Sequence, residues 1–397
     1  MPEPRHFAES PESVGVDSAR LEALFERAGR EVREGLLPSC QIALARRGRI
    51  AGMRSFGSVR HEGRPAEATD RTLYVIFSCT KAITSAAAWL LIQEGKLGLD
   101  ERVAEIIPEF ASNGKDRVVV EQLLTHTAGF PYAPYPQREW HDRAARLRRF
   151  ARWRLNWEPG TRFEYHPTSS MWVVVELIER RAGQDYRDFV RSRIAEPLGL
   201  GDLWLGLPRA LQGRLADIEH VGRAPTPEEL AALGFPQIPE GEVTEQAIQG
   251  FNQAEVREAG VPGGGGVTTA GELALFYQAL LTGCAPDGSR IWTPEMLREA
   301  RRVRSGEFTD PIFGKPANRG LGVVIAGGEE RAWLGFGRTG SAQSFGHGGA
   351  GGQIGWADPE SGISLGYCTN GFDRDPLRQA RRGVAISSRA AVCALAD

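Results

Sequence analysis

The sequence predicts an α/β protein of the α+β type, in which the two ends of the chain build one sheet around an inserted helical lobe. Strand-like apolar runs occur near the N-terminus and again in the last third, and helical periodicity dominates between them. The length of 397 residues also exceeds what one core usually supports. We therefore predict an α/β sheet domain from residues 1–75 and 259–397 and a mostly helical domain from residues 76–258.

The N-terminal part of the sheet is predicted to contain a helix followed by a hairpin. Asp17 is a typical helix N-cap, and apolar residues follow at helical spacing over residues 21–32. Apolar residues then alternate from Cys40 to Leu44. A polar turn at residues 46–48 leads into a second strand from about residue 50 to residue 56.

The later elements follow from the same periodicities. A helix is predicted over residues 172–181, and the stretch 225–245, rich in Pro, Gly and Glu, is predicted to be a surface excursion. The four glycines at 263–266 lack a phosphate-loop signature, so we interpret them as a flexible entry to a helix near Gly271. Four strands and a final amphipathic helix complete the prediction, at residues 320–327, 344–348, 352–357, 363–369 and 377–394.

The composition and net charge of the chain exclude several classes of function. Apolar and charged residues make up 41% and 25% of the chain, and the net charge is −2, so nothing favours nucleic acid or an anionic membrane as a partner. The five cysteines lack metal-ligand spacing, and we expect no metal and no cofactor. Without an apolar leader or a run of ~18 apolar residues, a cytoplasmic protein acting on a small molecule is expected. The sequence leaves a homo-oligomer open.

The most informative stretch is Ser78-Cys79-Thr80-Lys81, between an apolar run and a long apolar helical pattern. Residues three apart share one face of a helix, so the Lys81 amine is expected one turn from the Ser78 hydroxyl. A serine needs a neighbouring base to become nucleophilic, and a lysine can be that base when burial lowers its pKa. This pattern predicts a serine nucleophile with a lysine base, and Cys79 is predicted to be a buried thiol.

Two other serines match nucleophile patterns. Ser112 and Lys115 repeat the S-x-x-K spacing, but they lie in a polar stretch with an Asn-Gly turn and no following helix. Ser364 lies in a G-x-S-x-G pentapeptide, which serves as a nucleophile elbow only between a strand and a helix. Here it lies inside a strand-like run. We interpret both serines as structural.

Further site candidates lie on loops. Tyr165, just before a predicted helix, is the candidate partner of Lys81 in proton transfer. His347, Gly348, Gly349 and Ala350 form a glycine-rich segment that allows close approach of a ligand and could supply oxyanion N–H groups. Four aromatic residues of the loop 130–140 are predicted to line part of the substrate cleft, with a self-packed surface loop as the alternative: Phe130, Tyr132, Tyr135 and Trp140. His126 is predicted to be structural, and His166 to tune Tyr165 or to point away from it.

These segments together resemble the serine β-lactamase-like family, most of all class C β-lactamases and family VIII carboxylesterases. The resemblance runs from about residue 12 to residue 370. It rests on Ser78-x-x-Lys81, residues 122–129, Pro159-Gly160 with Tyr165, residues 262–274, and His347-Gly348-Gly349 where lactamases have Lys-Thr-Gly. It implies a β-lactamase/transpeptidase-like fold: a mainly antiparallel sheet flanked by helices, a helical lobe, and the site in the cleft between them. It further implies that Ser78 is acylated, that Lys81 and Tyr165 share the base and acid roles, and that the N–H groups of Ser78 and Ala350 form the oxyanion hole.

Two departures from the lactamase pattern indicate the substrate. Pro167 takes the place of the Asn in Tyr-x-Asn, and its ring nitrogen has no proton to donate. His347 replaces a permanent lysine cation with a side chain that is mostly neutral at pH 7. We therefore predict a carboxylesterase for short-chain esters. A β-lactamase, a D-aminopeptidase or other amidase, and an acyltransferase on the same machinery are the alternatives. A catalytically silent binding protein is disfavoured, because Ser78, Lys81 and Tyr165 are all present.

Overall fold

A computed structural model describes residues 2–232 and 244–396. The strands are β1 Ser39–Arg46, β2 Arg49–His61, β3 Arg64–Glu67, β4 Tyr74–Val75, β5 Trp204–Leu205, β6 Glu219–Val221, β7 Gly266–Thr268, β8 Thr309–Asp310, β9 Lys315–Pro316, β10 Val324–Ile325, β11 Phe345–Gly349, β12 Gln353–Ala357, β13 Ile363–Thr369 and β14 Gly371–Asp373. The helices are α1 Ser18–Arg33, α2 Thr80–Gln93, α3 Val103–Ile106, α4 Val120–Leu124, α5 Arg143–Arg152, α6 Ser169–Ala182, α7 Tyr186–Val190, α8 Arg209–Gln212, α9 Pro227–Ala232, α10 Glu245–Gln249, α11 Ala254–Ala259, α12 Ala270–Thr282, α13 Pro294–Ala300 and α14 Pro376–Ala391.

One antiparallel sheet joins the two ends of the chain. Its strand order is β10-β11-β12-β13-β1-β2-β3, and every neighbouring pair is antiparallel. The central pair brings the ends together, with Cys40 opposite Thr369 and Arg46 opposite Ile363. The predicted fold class, with a sheet made from both ends of the chain, is confirmed.

Helices cover both faces of this sheet. Successive residues of a strand point to opposite faces, and β1 is buried along its whole length. Ile42 and Leu44 pack in the core with α1 and α14. Ala43 and Ala45 belong to the larger core that contains α12, α2 and α6. Because two helical layers exclude water from the sheet, both sets of side chains are apolar.

Helix α2 lies at the centre of the larger core. All of its residues from Thr80 to Leu91 are buried, and it packs against α6 on one side and α13 on another. A helix buried on every side needs a largely apolar sequence all round, which explains why the residues from Ala82 to Leu91 are Ala, Ile, Leu and Trp apart from Thr84 and Ser85. Lys81 is thereby removed from water by the fold itself.

Most predicted elements form where the sequence indicated. The Asp17 side chain accepts a hydrogen bond from the Arg20 N–H at 2.9 Å, which confirms the helix N-cap. The hairpin of β1 and β2 is also confirmed, with a second strand that continues to His61. The strand predicted over residues 320–327 is reduced to β10. Gly320 and Gly322 make a tight turn there, with φ +78° at Gly322.

The four glycines at 263–266 are not the flexible entry that we predicted. Gly266 begins strand β7, which pairs with β4 and β5. A Cβ atom on Gly265 would lie 2.5 Å from the Val261 nitrogen, and one on Gly266 would lie 2.6 Å from Thr80 Oγ1. Such distances are too short for any side chain, so Gly265 packs closely on the Val261 backbone and Gly266 on Thr80, the first residue of α2.

Part of the predicted surface excursion, residues 233–243, lies outside the described residues. No helix within residues 2–232 and 244–396 has the length and apolar character to cross a bilayer. The domain boundaries after residues 75 and 258 stay a prediction.

Candidate active site

Ser78 lies on a strained turn between β4 and α2. The turn is a short 3₁₀ segment, Phe77–Cys79, and Phe77 has φ +43°, which is rare for a residue with a side chain. Its ring packs edge-on against Phe251 at 5.4 Å and Phe372 at 6.2 Å. Such strain persists only where the surroundings fix the backbone, and here it presents Ser78 to a cleft.

The Lys81 amine is fixed by three oxygen atoms. Its Nζ lies 3.3 Å from Ser78 Oγ, 2.7 Å from the carbonyl oxygen of Pro167 and 2.7 Å from that of Gly263. Burial lowers the pKa of Lys81, nearby Tyr165 opposes this, and repulsion from Arg319 adds to it. A carbonyl oxygen can only accept, so each of the two carbonyls takes one N–H group of the amine. The remaining position on the nitrogen faces Ser78 Oγ, and it holds a third N–H in the charged amine and the lone pair in the neutral one.

Tyr165 lies beside this pair. Lys81 Nζ is 4.9 Å from the centroid of its ring, and the His126 ring is 4.7 Å away. Its hydroxyl is buried and has no hydrogen-bond partner among the described residues. Tyr165 and Ser78 line the same cleft. The structure therefore brings together the three residues that the sequence predicted as the catalytic group.

The glycine-rich segment 346–352 closes the site from the sheet side. A Cβ atom on Gly349 would lie 2.4 Å from the Ile76 carbonyl oxygen, so only glycine lets the end of β11 approach the Ser78 turn. Cys79 is buried, as predicted, and its Sγ donates to the His347 carbonyl at 3.0 Å. Ala350, the next residue after β11, lines the cleft beside Ser78. The oxyanion role of its N–H stays a prediction.

His347 is a neutral side chain in this structure. Burial, together with the charges of Arg319 and Lys81, holds the pKa of His347 well below its usual range. Its Nδ1 lies 2.6 Å from the Gly348 carbonyl, so Nδ1 carries the proton. Nε2 is left as a buried acceptor without a partner in the described part of the chain. His347 therefore carries no positive charge, and of the predicted segment 347–350 only Ala350 lines the cleft in front of Ser78.

The other two histidines are structural. His166 Nε2 accepts from the Phe130 N–H at 3.1 Å, and its Nδ1 bonds the Glu164 carbonyl at 2.7 Å. Both ring nitrogens are used, and burial lowers the pKa of His166 to about 3. His126 Nδ1 accepts from the His166 N–H at 3.2 Å. The two rings hold the loop backbone around Tyr165, and His166 makes no hydrogen bond to the phenol.

The cleft in front of Ser78 has a volume of about 420 Å³. Its wall is mainly apolar and aromatic, with contributions from Phe77, Pro134, Tyr135, Pro136, Trp140, Ile248, Phe251 and Val261. Arg138 and Arg149 also line it, and both lie near the Glu139 carboxylate. A site of this kind suits an uncharged acyl group of modest size.

The aromatic loop contributes differently from our prediction. Phe130 is completely buried, stacked 5.8 Å from Trp153, and does not line the cleft. Tyr132 is 56% exposed, and its hydroxyl bonds the Glu164 carboxylate away from the cleft. Neither Phe130 nor Tyr132 therefore lies on the cleft, where the prediction placed both. The other two aromatic residues named in the prediction, Tyr135 and Trp140, do line the cleft.

Replacing Phe130 by alanine should lower stability and leave substrate choice unchanged. Loss of a buried phenylalanine typically costs about 3–5 kcal/mol of unfolding free energy. Tyr132→Ala, a matched change two residues away on the surface, should cost far less. Urea unfolding and acyl-chain profiles of both variants check this. If Phe130→Ala kept the wild-type stability and changed the acyl-chain preference, Phe130 would have to contact the substrate.

The two alternative serines are held in structural hydrogen bonds. Ser364 lies in β13, where its Oγ donates to the Ala274 carbonyl at 2.7 Å and accepts from Gln278 Nε2 at 3.0 Å. Ser112 Oγ donates to the Ala151 carbonyl at 2.6 Å. Lys115 Nζ lies 3.3 Å from that Oγ, the same separation as in the Ser78 pair, and burial lowers the pKa of Lys115 to about 8. Ser112 differs from Ser78 because it does not line the cleft.

Sequence reasoning missed three features of the site. The carbonyl groups of Pro167 and Gly263 carry no signal, since every residue has a carbonyl. Phe77 gave no sign of its positive φ, because nothing in its side chain favours that conformation. Arg319, whose guanidinium carbon is 5.5 Å from the centroid of the Tyr165 ring, was one arginine among many. Its position follows from tertiary packing alone.

Comparison with known proteins identifies the family. The sequence model of the beta-lactamase family, described as Beta-lactamase, matches residues 21–388. The chain belongs to the beta-lactamase family, and it is a serine hydrolase of the β-lactamase fold.

Its relatives include esterases and proteins named as peptidases. The chain is 28% identical to the esterase/beta-lactamase LipL of Mycobacterium tuberculosis, over 75% of this chain and 68% of LipL. It is 31% identical to esterase EstB of Burkholderia gladioli, over 72% and 74%. A third relative, "Putative D-alanyl-D-alanine carboxypeptidase" of Escherichia coli, is 26% identical over 91% and 84%.

Two solved structures are similar over nearly their whole length. A penicillin-binding protein homolog from Caulobacter crescentus gives a TM-score of 0.79 at 28% identity, covering 95% of this chain and 99% of that one. A family VIII carboxylesterase gives 0.77 at 26% identity with the same coverage. These similarities agree with the resemblance identified from the motifs.

Proposed function

We propose that this protein is a serine carboxylesterase that cleaves short-chain carboxylic esters through an acyl-enzyme on Ser78. The observation that carries the proposal is the Lys81 amine, which is buried, held by two carbonyl groups and 3.3 Å from Ser78 Oγ at an apolar cleft. An ester needs a nucleophile, an oxyanion hole and an apolar acyl site. Relatives named as esterases support the same reaction.

In the proposed reaction, Lys81 takes the proton of the Ser78 hydroxyl as Oγ attacks the ester carbonyl carbon. The carbonyl oxygen becomes an oxyanion, which the N–H groups of Ser78 and Ala350 stabilise. The C–O bond to the alcohol then breaks, and the alcohol leaves with the proton returned from Lys81 through Tyr165. The acyl group stays on Ser78 Oγ.

Deacylation uses the same residues with water in place of the alcohol. Lys81 and Tyr165 take a proton from the water as its oxygen attacks the acyl carbon. The bond to Ser78 Oγ breaks, and the carboxylic acid leaves while Ser78 regains its proton. Each step returns the group to its starting protonation state, which general acid–base catalysis requires.

Two contacts support an ester over a β-lactam. His347 is neutral, with its one N–H used by the Gly348 carbonyl, so it lacks the charge that would hold a lactam carboxylate. Pro167 has no side-chain amide, and its carbonyl is bonded to Lys81. A missing charged hydrogen bond costs about 1.5–3 kcal/mol and a neutral one less. Together they should lower kcat/KM for lactams by roughly two to three decades.

The experiment compares p-nitrophenyl esters with a chromogenic cephalosporin. Wild-type enzyme should hydrolyse the best ester with a kcat/KM at least a hundredfold higher, by the estimate above. His347→Lys should recover part of the lactam activity, because it restores a cation, and should change neutral esters little. The methyl ester of the cephalosporin is the matched control, since it has no carboxylate for the new lysine. A wild-type kcat/KM for the cephalosporin equal to that for the best ester would contradict the proposal.

Amide hydrolysis is the second candidate. The relative named as a carboxypeptidase aligns over 91% of the chain, and the same nucleophile and base can attack an amide. An amine leaving group must be protonated before it departs, which makes Tyr165 more important than for an activated ester. Turnover of a D-alanyl-D-alanine peptide at a rate matching the best ester would favour this candidate.

A further inference from the structure

Arg319 places a positive charge inside the candidate active site. Its side chain is only 8% exposed, and its guanidinium carbon lies 5.2 Å from the centroid of the Phe163 ring and 5.5 Å from that of Tyr165. The backbone is fixed as well. The Arg319 N–H donates to Ser305 Oγ at 3.0 Å, and its carbonyl accepts from the Arg304 N–H at 2.7 Å. The fold therefore directs this cation at Tyr165.

This cation lacks the partners that buried arginines normally have. Arg319 Nε is buried without a hydrogen-bond partner, and no carboxylate within residues 2–232 and 244–396 forms an ion pair with it. Arg146, equally buried, pairs with Glu176 and Glu179. An unpaired buried charge costs stability, and arginine cannot escape that cost by losing its proton. A group kept at such a cost in an active site points to a role in the chemistry.

Histidines and two carboxyl groups complete the surroundings of Tyr165, and Arg319 and Lys81 are the cationic groups among them. His126 and His347 are neutral, because burial holds the pKa of each well below its usual range. Burial and nearby Asp310 raise the pKa of Glu164, and Asp310 also attracts Arg319. The groups that face the cluster are thus Lys81 on α2, His126 after α4, Glu164, Tyr165 and His166 on the loop before α6, Asp310 on β8 and His347 on β11.

We propose that Arg319 is a positioning residue for the general base, whose fixed charge keeps the Lys81 amine neutral beside Tyr165 at neutral pH. Like charges disfavour each other, so a cation in this cluster makes protonation of the amine harder. Arg319 does not line the cleft, and it therefore acts through Lys81 and Tyr165, without touching the substrate. This inference rests on the proposed function of Ser78 and Lys81.

The sign of the pH effect follows directly. Without Arg319 the amine holds its proton to a higher pH, so the base form is reached later as pH rises. In Arg319→Met the ascending limb of kcat/KM should move to higher pH, by up to about one to three pH units, because Arg319 and Lys81 both lie against the Tyr165 ring and one nearby charge shifts a pKa by that range. Activity should be low at neutral pH and should recover in alkaline solution. The melting temperature should stay equal or rise, because an apolar side chain replaces an unpaired charge.

The experiment measures two rates across pH for wild type, Arg319→Met and Arg319→Lys. One is the labelling of Ser78 by a neutral fluorophosphonate, and the other is kcat/KM for p-nitrophenyl acetate. Arg319→Lys keeps the charge and should retain the wild-type profile. Arg304→Met is the matched control, because Arg304 is also buried but pairs with Glu121 and Glu299. It should lower the melting temperature and leave the profile in place.

Each result decides the matter. A wild-type profile in Arg319→Met, or a loss equal at every pH, overturns the proposal and assigns Arg319 to packing. If Arg319→Met does not fold, Arg319→Gln makes the same comparison with a polar side chain. Normal labelling without ester turnover in wild type contradicts the ester assignment alone, since labelling still reports on Arg319. Absent labelling of wild-type Ser78 overturns both.

Discussion

Replacing Ser78 by alanine should remove essentially all ester turnover while the protein stays folded. Ser78 Oγ is the atom 3.3 Å from the Lys81 amine on the cleft, and no other described serine combines those two features. Loss of a nucleophile that acts in a catalytic unit typically costs 10⁴-fold or more in rate. We expect kcat/KM for p-nitrophenyl acetate to fall by about that factor, and a fluorophosphonate to leave Ser78→Ala unlabelled.

Two matched serine variants control this experiment. Ser112→Ala repeats the change at the second S-x-x-K pair, and Ser364→Ala repeats it at the G-x-S-x-G pentapeptide. Both serines donate to backbone carbonyls, so their loss should cost some stability and little activity. Inactive Ser364→Ala or Ser112→Ala beside an active Ser78→Ala would transfer the nucleophile to that serine.

Lys81 and Tyr165 should behave as one proton-transferring unit. Lys81→Met removes the base beside Ser78, and Tyr165→Phe removes the buried hydroxyl next to it. Each single change should lower kcat/KM by roughly 10²–10⁴-fold, the usual range for general acid–base groups. The kcat/KM of the double variant should lie within about tenfold of that of the less active single variant, because the effects of residues that act as a unit are not additive.

Steady-state kinetics of the wild type and the three variants provide this comparison. His166→Asn is a control for the loop, since His166 holds the backbone near Tyr165 and makes no hydrogen bond to its hydroxyl. It should affect stability more than turnover. A double variant whose loss is the product of the two single losses would mean that Lys81 and Tyr165 serve separate steps.

The overall fold could be predicted because it follows from periodicity. The period-two pattern of β1 and the helical pattern after Asp17 are local, and β13 was predicted over the residues where it forms. The short strands could not be predicted in the same way. β7 begins at Gly266, where the absence of a side chain allows close packing against Thr80. A run of four glycines suggests flexibility as long as its neighbours in the fold are unknown.

The active site, like the fold, could be predicted only where local sequence determines the geometry. Ser78 and Lys81 could be paired from the sequence, because a helix fixes the relation of residues three apart. The placement of Phe130 and Tyr132 away from the cleft could not be predicted, for the opposite reason. An aromatic loop can turn either way, and packing against Trp153 decided for Phe130. The role of Arg319 could not be predicted from the sequence, because it depends on which charged groups and aromatic rings surround the side chain in the fold.

The most direct test of the central claim is the mass of the enzyme during turnover of p-nitrophenyl acetate. Acid quenching within the first turnovers followed by intact mass measurement should show one added acetyl group. Proteolytic mapping should place that group on the peptide containing Ser78, and Ser78→Ala should show no adduct. An acetyl group on another residue, or undiminished turnover by Ser78→Ala, would contradict the account.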